Sequence, residues 1–427
     1  MPQTLIARLL RARIILVSSW PFHGTINHPA GEMRKVLVLD ANQRSALAVI
    51  RSLGRHGLAV VAGDHRTNAL GAASRYVTAA VRYPDPSTSP GRFLREIIAV
   101  AERLGIDTIV PATDLTTMLL VSQPNLTEFA RLAAPPAASY EALTDKARLL
   151  ALAARLDIPA PATRIADTAA AIMSAAHDMG FPVVLKPARS RYLKDDRVLS
   201  TSVQIAVSPA ALAELLPRQE WLGDIPCLVQ RFVPGHGAGI FALYGPSGPI
   251  AWFAHRRLRE KPPAGGVSVL CESVPIDPRM QASAAKLLGA ADWTGPAMVE
   301  FRVSDAGTPY LMEVNGRFWG SLQLAIDCGV DFPWLLYRIT RDLSLTPPQP
   351  YITGKRLRWL LGDLDSLLIR LRQDRESPRG AARALAAFAR SFVDPSCRQE
   401  ILRLSDPHPG IRELAQWLSA LTPSRQR

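Results

Sequence analysis

A row of polar side chains ends the apolar segment "YLMEVNGRFWGS", which spans residues 310–321. Glu313, Asn315 and Arg317 occupy alternate positions, so in a β-strand their side chains project from the same face. Carboxylate and amide oxygens suit a hard divalent cation, and a guanidinium suits a phosphate or a carboxylate. The row therefore predicts a site that handles a metal ion and an acidic ligand.

A second carboxylate lies on the preceding predicted strand, "PAMVEFRV", at Glu300. If Ala306 and Gly307 form the centre of the intervening turn, Glu300 and Glu313 are direct cross-strand neighbours, with Cβ atoms roughly 5 Å apart. Like charges in this arrangement destabilise a hairpin unless a cation lies between them. A solvated hairpin face is the alternative, but the surrounding apolar residues favour a buried element, and we predict Mg²⁺ or Mn²⁺ at Glu300, Glu313 and Asn315.

Two lysines are candidates for binding phosphate, in a chain with only seven lysines against 43 arginines. Lys146 follows Thr144, which we expect to cap a helix, so the ammonium lies near exposed backbone N–H groups. Lys186 ends the β-branched strand "FPVVLKPA". Either lysine alone is as easily a surface charge, but two in one domain favour a phosphate site.

A run of three antiparallel strands is predicted between the two parts of this site, at residues 227–233, 240–244 and 250–258. Phe253, His255, Arg257 and Arg259 alternate along the last strand, which predicts a basic face for an acidic ligand. An exposed strand face explains the same pattern. The following "EKPPAGGVS" has the composition of a mobile loop that could close over this face.

The elements that must hold these residues begin with "KVLVLDANQRSALAVIRSLGRHGLAVVAGD", starting at Lys35. It reads as strand, helix and strand, the opening of a parallel α/β sheet. A helix around 93–104 leads to "DTIVPATD", a strand whose carboxyl end carries Thr113 and Asp114. The turn after the first strand of this region lacks the pattern G-x-G-x-x-G, so we favour a structural domain that forms one wall of a cleft over a dinucleotide site. The segment "AAPPAAS" at 133–139 reads as a linker.

Composition narrows the functional classes. The 427 residues, 48% of them hydrophobic, can form several cores, and the absence of an apolar run long enough to span a bilayer predicts a soluble, cytoplasmic protein. The net charge of +13 is concentrated at the ends, with five basic and one acidic residue in 1–35 and fourteen and eight in 351–427. Without basic residues interleaved with aromatics, a charged surface is favoured over nucleic-acid binding. The four cysteines form no C-x-x-C pair and indicate ordinary reduced thiols.

Taken together, these motifs resemble the ATP-grasp superfamily, and more closely its carboxylate-amine ligase-like branch, over residues 35–340. The most specific segments are "MVEFRVSDAGTPYLMEVNGRFWGS", "FPVVLKPA" and "LVQRFVPG". The resemblance implies a mixed α/β and α+β fold, with a Rossmann-like pre-ATP-grasp domain at 34–132, an ATP-grasp domain at 140–345 and a helical region at 350–427. Amphipathic helices are predicted there at 361–371 and 381–392, and residues 1–33 are expected to be a leader or a disordered extension.

The resemblance also implies roles for individual residues, with ATP and Mg²⁺ (or Mn²⁺) as cofactors. The metal ligands are expected to be Glu300, Glu313 and Asn315. The nucleotide contacts are expected to be Lys146, Lys186, Gln230, Arg231, Phe232 and Val233, with His236 nearest to the ribose position. The groups that orient the reacting acids are expected to be Arg317, Lys186, His255 and Arg257.

Two departures from the family pattern affect the nucleotide site. The segment "ARSRYLKDDRVLST" contains no glycine where many members have a glycine-rich flap, so cover for the phosphates is expected from Arg189, Ser190 or Arg191. The position of the usual ribose-binding acid falls at Gly237. Ribose contacts are therefore left unassigned.

The function expected from the resemblance is that of an ATP-dependent ligase that activates a carboxylate as an acyl phosphate for attack by an amine. An ATP-grasp carboxylase, a phosphorylating enzyme and a non-catalytic basic binding protein are the alternatives. The expected partners are small-molecule carboxylate and amine substrates, with no nucleic acid and no membrane, and a homodimer is left open.

Overall fold

A computed structural model describes residues 34–123, 126, 128–263, 265–346, 349–373 and 377–421. The extension expected at 1–33 lies outside these residues. The mixed α/β fold class is confirmed, and it is built from one parallel sheet, one antiparallel sheet, one mostly antiparallel sheet and a C-terminal group of helices.

The first sheet is parallel, with strand order β3-β2-β1-β4-β5. Its strands are β1 Lys35–Val38, β2 Ala59–Asp64, β3 Val77–Arg82, β4 Thr108–Val110 and β5 Arg131–Leu132. Its helices are α1 Arg44–Arg55, α2 Pro90–Leu104 and α3 Asp114–Val121. All residues of β2 are buried, because helices cover a parallel sheet on both faces. Asp114 begins α3 directly after β4, so it lies at the carboxyl edge of the sheet.

The second layer is a four-stranded antiparallel sheet with strand order β10-β7-β11-β6. Its strands are β6 Thr163–Ala166, β7 Val183–Pro187, β10 Gln204–Ala206 and β11 Cys227–Arg231, and β8 Arg191–Lys194 and β9 Arg197–Ser200 form a separate hairpin. Its helices are α6 Ala169–Met179 and α7 Pro209–Leu215, whereas the preceding helices, α4 Ala137–Thr144 and α5 Lys146–Arg155, pack against the third sheet. The expected three-strand run is therefore wrong in one respect, since β11 belongs to this layer rather than to the sheet of the next two strands.

The third sheet has seven strands, in the order β16-β15-β12-β13-β14-β17-β18. Its first strands are β12 His236–Gly245, β13 Gly248–Lys261, β14 Val267–Ser273, β15 Gly295–Val303 and β16 Pro309–Asn315. The accompanying helices are α8 Pro278–Ala290, α9 Leu322–Asp327 and α10 Phe332–Thr340. One hydrophobic cluster includes Val36 and Val60 of the first sheet together with Phe241 and Trp319 of this region, which fixes the two layers relative to each other.

The C-terminal region adds to this sheet as well as supplying helices. Its elements are β17 Arg356–Arg358, α11 Leu360–Gln373, α12 Pro378–Val393, β18 Cys397–Gln399 and α13 His408–Leu421. Strand β17 pairs antiparallel with β14 and β18 pairs parallel with β17. The two expected amphipathic helices are present with slightly wider bounds. The last helix and the two strands were not predicted, and strands of three residues carry little periodic signal.

None of the helices in the described ranges has the length and apolar character needed to cross a membrane.

Candidate active site

The acidic hairpin places Glu300 directly opposite Glu313. Near the turn, however, Phe301 pairs with Leu311 and Val303 with Pro309, so the expected turn centre is wrong. Met312 is an extra residue in β16, and this bulge restores the pairing of the two carboxylates.

The two carboxylates form a charged pair with limited compensation. Asn315 Nδ2 donates to Glu300 Oε1 at 3.1 Å and to Glu313 Oε1 at 3.4 Å, and Arg257 Nη2 donates to Glu300 Oε2 at 3.1 Å. Burial raises the pKa of Glu300, the charge on Glu313 raises it further, and the charge on Arg257 lowers it. A cation bound between these carboxylates would relieve their repulsion.

The donor set fits a hard metal ion only in part. Glu300 and Glu313 offer carboxylate oxygens, the ligands preferred by Mg²⁺ and Mn²⁺, whereas Asn315 turns its Nδ2 toward both carboxylates and its Oδ1 toward Arg317. Within the described ranges, no group of three or more His, Cys, Asp or Glu side chains could hold a metal ion. The two carboxylates therefore fit a metal ion whose coordination is completed by phosphate oxygens or water, and Asn315 would have to turn its amide over to join them.

Lys146 faces this hairpin from the first turn of α5. The helix is capped by Asp145, whose carboxylate accepts from the N–H groups of Ala147 and Arg148, so the expected cap at Thr144 is wrong. Thr144 instead ends α4. Lys146 Nζ donates to Ser190 Oγ at 2.8 Å and lies 3.7 Å from Glu313 Oε2, so it makes no close ion pair.

Lys186 approaches the same carboxylates from β7, as a buried side chain. Its Nζ contacts Met312 Sδ at 3.4 Å, and Met312 is the bulge residue of the acidic hairpin. Burial lowers the pKa of Lys186 to about 8, while the charge on Glu313 opposes the shift. A thioether is a weak acceptor, so this ammonium is available to an anionic ligand.

A cavity of about 240 Å³ opens between α4, α5 and the acidic hairpin. The polar groups in its lining include Lys146, Arg189, Ser190, Arg191, Glu313 and Asn315. The lining also holds four carboxylates, at Asp114, Glu141, Asp145 and Glu313, and Arg189 is already paired with Glu141 and Asp145. Lys146 and Arg191 are therefore the cationic side chains of this lining that suit a polyphosphate accompanied by a metal ion.

The β8–β9 hairpin occupies the glycine-free segment where the family resemblance would place a glycine-rich flap. Asp195 and Asp196 adopt φ values of +49° and +56° at its turn, a left-handed conformation that aspartate tolerates better than most residues. Val198 N donates to Ser87 O at 2.7 Å, so the hairpin contacts the segment that precedes α2. The segment therefore forms a hairpin without glycine, which composition alone did not indicate.

Arg317 joins the hairpin to the first sheet. Its Nε and Nη2 donate to the two oxygens of Asp114, each at 3.2 Å, and Nη2 also reaches Asn315 Oδ1 at 3.3 Å. This places Asp114 in the site, at the carboxyl edge of the parallel sheet where α/β sheets bind ligands. The guanidinium is thus oriented from one side and remains partly exposed on the other.

A second cavity, of about 300 Å³, lies on the far side of Glu300. Its lining includes Arg44, His255, Arg257, Glu300, Arg317, Trp319, Gly320 and Ser321. The expected basic face is therefore present only in part, because register shifts after Arg257 turn Arg259 away to form two hydrogen bonds with Asp363.

His255 is not a cation. Burial lowers its pKa to about 3, and the charge on Arg257 lowers it further, so the ring is neutral near pH 7. Its Nε2 is 2.8 Å from Ser321 Oγ, and the ring stacks on Phe241 with centroids 4.6 Å apart. The role of His255 in orienting acids stays a prediction, and its lowered pKa means that such a role would rest on the neutral ring, which the sequence did not reveal.

The residues assigned to the nucleotide base lie apart from both cavities. Gln230 Nε2 donates to Thr163 Oγ1 at 2.9 Å, and Val233 O accepts from Arg302 Nε at 3.1 Å. Arg231 and His236 are exposed, and Phe232 is half-buried. None of Gln230, Arg231, Phe232, Val233 and His236 lines either cavity, so their role rests on the family resemblance.

Sequence reasoning missed Arg44 and Ser321 as cavity residues. The sequence contained one indication that Arg44 could line a site, since it follows the first strand-to-helix turn at the carboxyl edge of the parallel sheet. It contained no such indication for Ser321, because a serine after a strand is common in any loop.

The chain is similar to several known proteins. A family model described as "ATP-grasp in the biosynthetic pathway with Ter operon" matches residues 226–361. An uncharacterised protein, y4rH, from Sinorhizobium fredii (strain NBRC 101917 / NGR234) is 28% identical over 361 residues, which is 79% of this chain and 70% of the relative.

Several solved structures share the fold. A biotin carboxylase from Campylobacter jejuni superimposes with a TM-score of 0.61 and 16% identity, over 76% of this chain and 74% of that chain. A carboxyaminoimidazole ribonucleotide synthase from Aspergillus clavatus, complexed with ATP, gives 0.59 and 17%, over 76% and 80%. An L-amino acid ligase from Bacillus licheniformis gives 0.56 and 14%, over 74% and 75%. These likenesses establish the arrangement of the elements that carry the site.

Proposed function

We propose that this chain is an ATP-dependent ligase of the ATP-grasp superfamily, which activates a carboxylate as an acyl phosphate for attack by an amine. The observation that carries this proposal is the opposed pair of Glu300 and Glu313 between two cavities. The buried Lys146 and Lys186 face that pair without close carboxylate partners. Such a site is suited to a polyanion bound together with a metal ion.

Each of the two cavities holds a different reactant. The first holds the triphosphate, where Lys146 neutralises part of its charge and the β8–β9 hairpin, which supplies Arg191 to the lining, excludes water. Lys186 lines neither cavity, and its contact with the phosphates is proposed from the family resemblance. The second holds the acceptor, where Arg257 and Arg317 orient its carboxylate beside Glu300. Gln230, Arg231, Phe232, Val233 and His236 are proposed to contact the base and ribose, on the strength of the family resemblance.

The reaction has two balanced steps. An oxygen of the acceptor carboxylate attacks the γ-phosphorus, the bond to the bridging oxygen breaks, and ADP leaves with the electron pair. The amine nitrogen then attacks the acyl carbon, inorganic phosphate leaves, and the nitrogen loses a proton to give the amide. A divalent ion held by Glu300, Glu313 and Asn315 would supply charge neutralisation for the phosphate oxygens.

The chain contributes position and charge rather than a nucleophile. Lys146 and Lys186 withdraw charge from the phosphates, and Arg317, fixed by Asp114, holds the acid at a defined angle. His255 acts through its neutral ring, which is bonded to Ser321 and stacked on Phe241, as part of the cavity wall.

A carboxylase or a phosphorylating enzyme is the second candidate. The similar solved structures include a biotin carboxylase and a carboxyaminoimidazole ribonucleotide synthase, so the fold is compatible with reactions other than amide formation. The identity of the product separates the candidates: an amide with ADP and phosphate supports the ligase, and a stable carboxylated or phosphorylated product supports the alternative.

The test is a screen of carboxylic acids and amines for Mg²⁺-dependent ADP release, with the product identified by mass spectrometry. Glu313→Gln serves as the matched control, because it keeps the shape of the side chain and removes one metal-binding charge. We expect ADP release from the wild type that depends on both substrates, and at least about a hundredfold less from the variant. Equal rates in the two proteins would disprove the assignment of Glu313.

A further inference from the structure

The second cavity contains a guanidinium that the proposed reaction does not use. Arg44, from the start of α1, lines the cavity opposite Arg257 and Arg317. Its side chain is 14% exposed, and its Cζ lies 4.2 Å from the centre of the Trp359 ring. The aromatic face therefore fixes the plane of the guanidinium while one edge faces the cavity.

Glu400, immediately after β18, holds Arg44 in this position. The Glu400 carboxylate accepts from Arg44 Nη1, and its own backbone is fixed because Glu400 N donates to Arg358 O at 2.9 Å and Arg51 Nη1 donates to Glu400 O at 2.9 Å. Glu400 itself is buried, 3% exposed. The C-terminal segment thus supplies a rigid partner to a residue of the first domain.

A comparison with Arg51, two turns further along α1, separates a structural tie from a ligand-binding group. Arg51 is buried and makes four hydrogen bonds, to the Asp406 side chain and to the backbone oxygens of Glu400, Ile401 and Asp406. Arg44 makes one close bond, to Glu400, and one long bond of 3.4 Å to Ser268 O, among the described residues. Arg44 therefore keeps donor capacity that Arg51 has used.

Space at this end of the cavity also depends on a small residue. A Cβ at Gly320 would lie 3.0 Å from Arg44 Nη2, so glycine allows the guanidinium to reach the loop that follows Arg317. Among the lining residues described, Glu300 is the single carboxylate, and the proposed metal site uses it. The lining thus offers three guanidinium groups and one carboxylate, although each guanidinium also has a partner outside the lining: Glu400 for Arg44, Glu260 for Arg257 and Asp114 for Arg317. One bidentate pair satisfies a carboxylate, so the donors that Arg44 does not use on Glu400 remain for a second acidic group.

We propose that Arg44 binds a second acidic group of the acceptor, so that the acceptor is a dicarboxylate or a phosphorylated carboxylate rather than a simple monocarboxylate. This inference rests on the function proposed above and specifies the substrate class of the same site. Arg44 is its specificity-determining residue, and Glu400 is a positioning residue that acts through Arg44.

The test compares matched acids against the full-length protein with Mg²⁺ and a non-hydrolysable ATP analogue, at fixed free Mg²⁺. The pairs are propionate with succinate, L-alanine with L-aspartate, and L-serine with O-phospho-L-serine, and the dissociation constants are measured by calorimetry. We expect at least one diacid to bind about 10 to 100 times more tightly than its monoacid partner. The aspartate and phosphoserine pairs distinguish a carboxylate from a phosphate as the second group.

Two variants test whether Arg44 causes the preference for diacids. Arg44→Gln should reduce the ratio of diacid to monoacid affinity to about one, while the dissociation constant of the nucleotide analogue stays within about twofold. Arg356→Ala is the matched control, because Arg356 also ties the C-terminal segment to the fold, through one bond to Glu272 and one to Asp394, but does not line the cavity. It should lower the melting temperature and leave the ratio unchanged.

The failures are distinguishable. A wild type that binds the nucleotide but shows no preference for diacids, or binds no acid in the panel, would overturn the inference alone. The same follows if Arg44→Gln weakens monoacids and diacids equally, or if Arg356→Ala removes the preference too. A wild type that shows no Mg²⁺-dependent nucleotide binding would overturn the proposed function, and the inference with it.

Discussion

The acidic hairpin and the C-terminal helices use the same kinds of charged residue in opposite ways. At the C-terminal helices, Asp363 is 1% exposed and accepts from Arg259 at 2.6 and 2.7 Å and from Arg358 at 2.7 Å. At the hairpin, Glu300 faces another carboxylate, and the nearest lysine ammonium to Glu313 stands 3.7 Å away.

The difference indicates which charges serve the fold and which await a ligand. A buried carboxylate surrounded by guanidinium donors has replaced the hydrogen bonds to water that it lost on burial with hydrogen bonds inside the protein. The two opposed carboxylates and Lys186, which contacts a thioether, have not replaced all of theirs. Part of their interaction energy therefore becomes available only when a polyanion and a cation bind. Burial alone does not separate the two regions; the completeness of the hydrogen bonding does.

The largest expected effect tests the structural half of this comparison. Asp363→Asn leaves Arg259 and the buried Arg358 without their carboxylate, so we expect the free energy of unfolding to fall by about 3–5 kcal/mol. Urea unfolding followed by circular dichroism measures it. Glu96→Gln is the control, because its pair with Arg103 is exposed and 3.7 Å long, and it should change stability by less than about 0.5 kcal/mol. Similar losses in both variants would contradict a structural role for Asp363.

The next effect concerns nucleotide affinity. Lys186→Ala should weaken binding of Mg²⁺-ATP by about 1.5–3 kcal/mol, because one charge-assisted contact is lost, with little change in the stability of the ligand-free protein. Calorimetric titration provides the measurement. Lys286→Ala, which removes an exposed lysine from α8, should leave the affinity unchanged. Unaltered affinity in Lys186→Ala would remove Lys186 from the site.

A pH titration sharpens the same comparison through the charge of Lys186. The pKa of Lys186 is lowered to about 8 in the folded protein, so above pH 8 the ammonium is increasingly neutral and the phosphates lose a partner. Between pH 7.5 and 9.0 the affinity for ATP should fall about eightfold, with proton uptake on binding. Lys186→Arg should remove this dependence, because a guanidinium does not titrate in this range. A wild-type profile as flat as that of the variant would contradict the charge assignment.

The same shift has a consequence for stability, with a definite sign. Since folding lowers the pKa of Lys186 from 10.5, the unfolded chain binds more protons between pH 8 and 10.5, and stability rises with pH over that window. The free-energy cost of burying the charged Lys186 ammonium is fully present below pH 8. Ligand-free Lys186→Met should lack this contribution when unfolding is compared at pH 8 and at pH 10, and a rise equal to that of the wild type would assign the effect to another group.

The smallest expected effect is on the ligand-free hairpin. Glu313→Gln removes a repulsion with Glu300, so stability should stay unchanged or rise by about 0.2–1 kcal/mol. With Mg²⁺-ATP present the order should reverse, because the wild type alone gains the full binding contribution. Thermal unfolding with and without Mg²⁺-ATP at pH 7.5 decides this. A strongly destabilised variant that still gains as much from the ligand would make Glu313 a structural carboxylate.

Much of the fold and part of the site followed from local sequence. Alternation of period two placed Glu313 and Asn315 on one face, and an apolar run that a helix pattern follows indicated the parallel sheet that begins at Lys35. These patterns depend on residues a few positions apart, so the chain itself determines them. The pairing of Glu300 with Glu313 was also expected, but it depends on a bulge at Met312 that no turn motif announced.

Charge state and partnership required the tertiary structure. The neutrality of His255, the diversion of Arg259 to Asp363 and the pairing of Arg44 with Glu400 each depend on elements distant in sequence. Arg44 and Glu400 are separated by 356 positions. The sequence by itself determined which residues could carry charge and on which face of a strand they lie. The tertiary structure decided which of those charges are desolvated and which are already paired, because burial depends on chain segments that meet only in the folded protein.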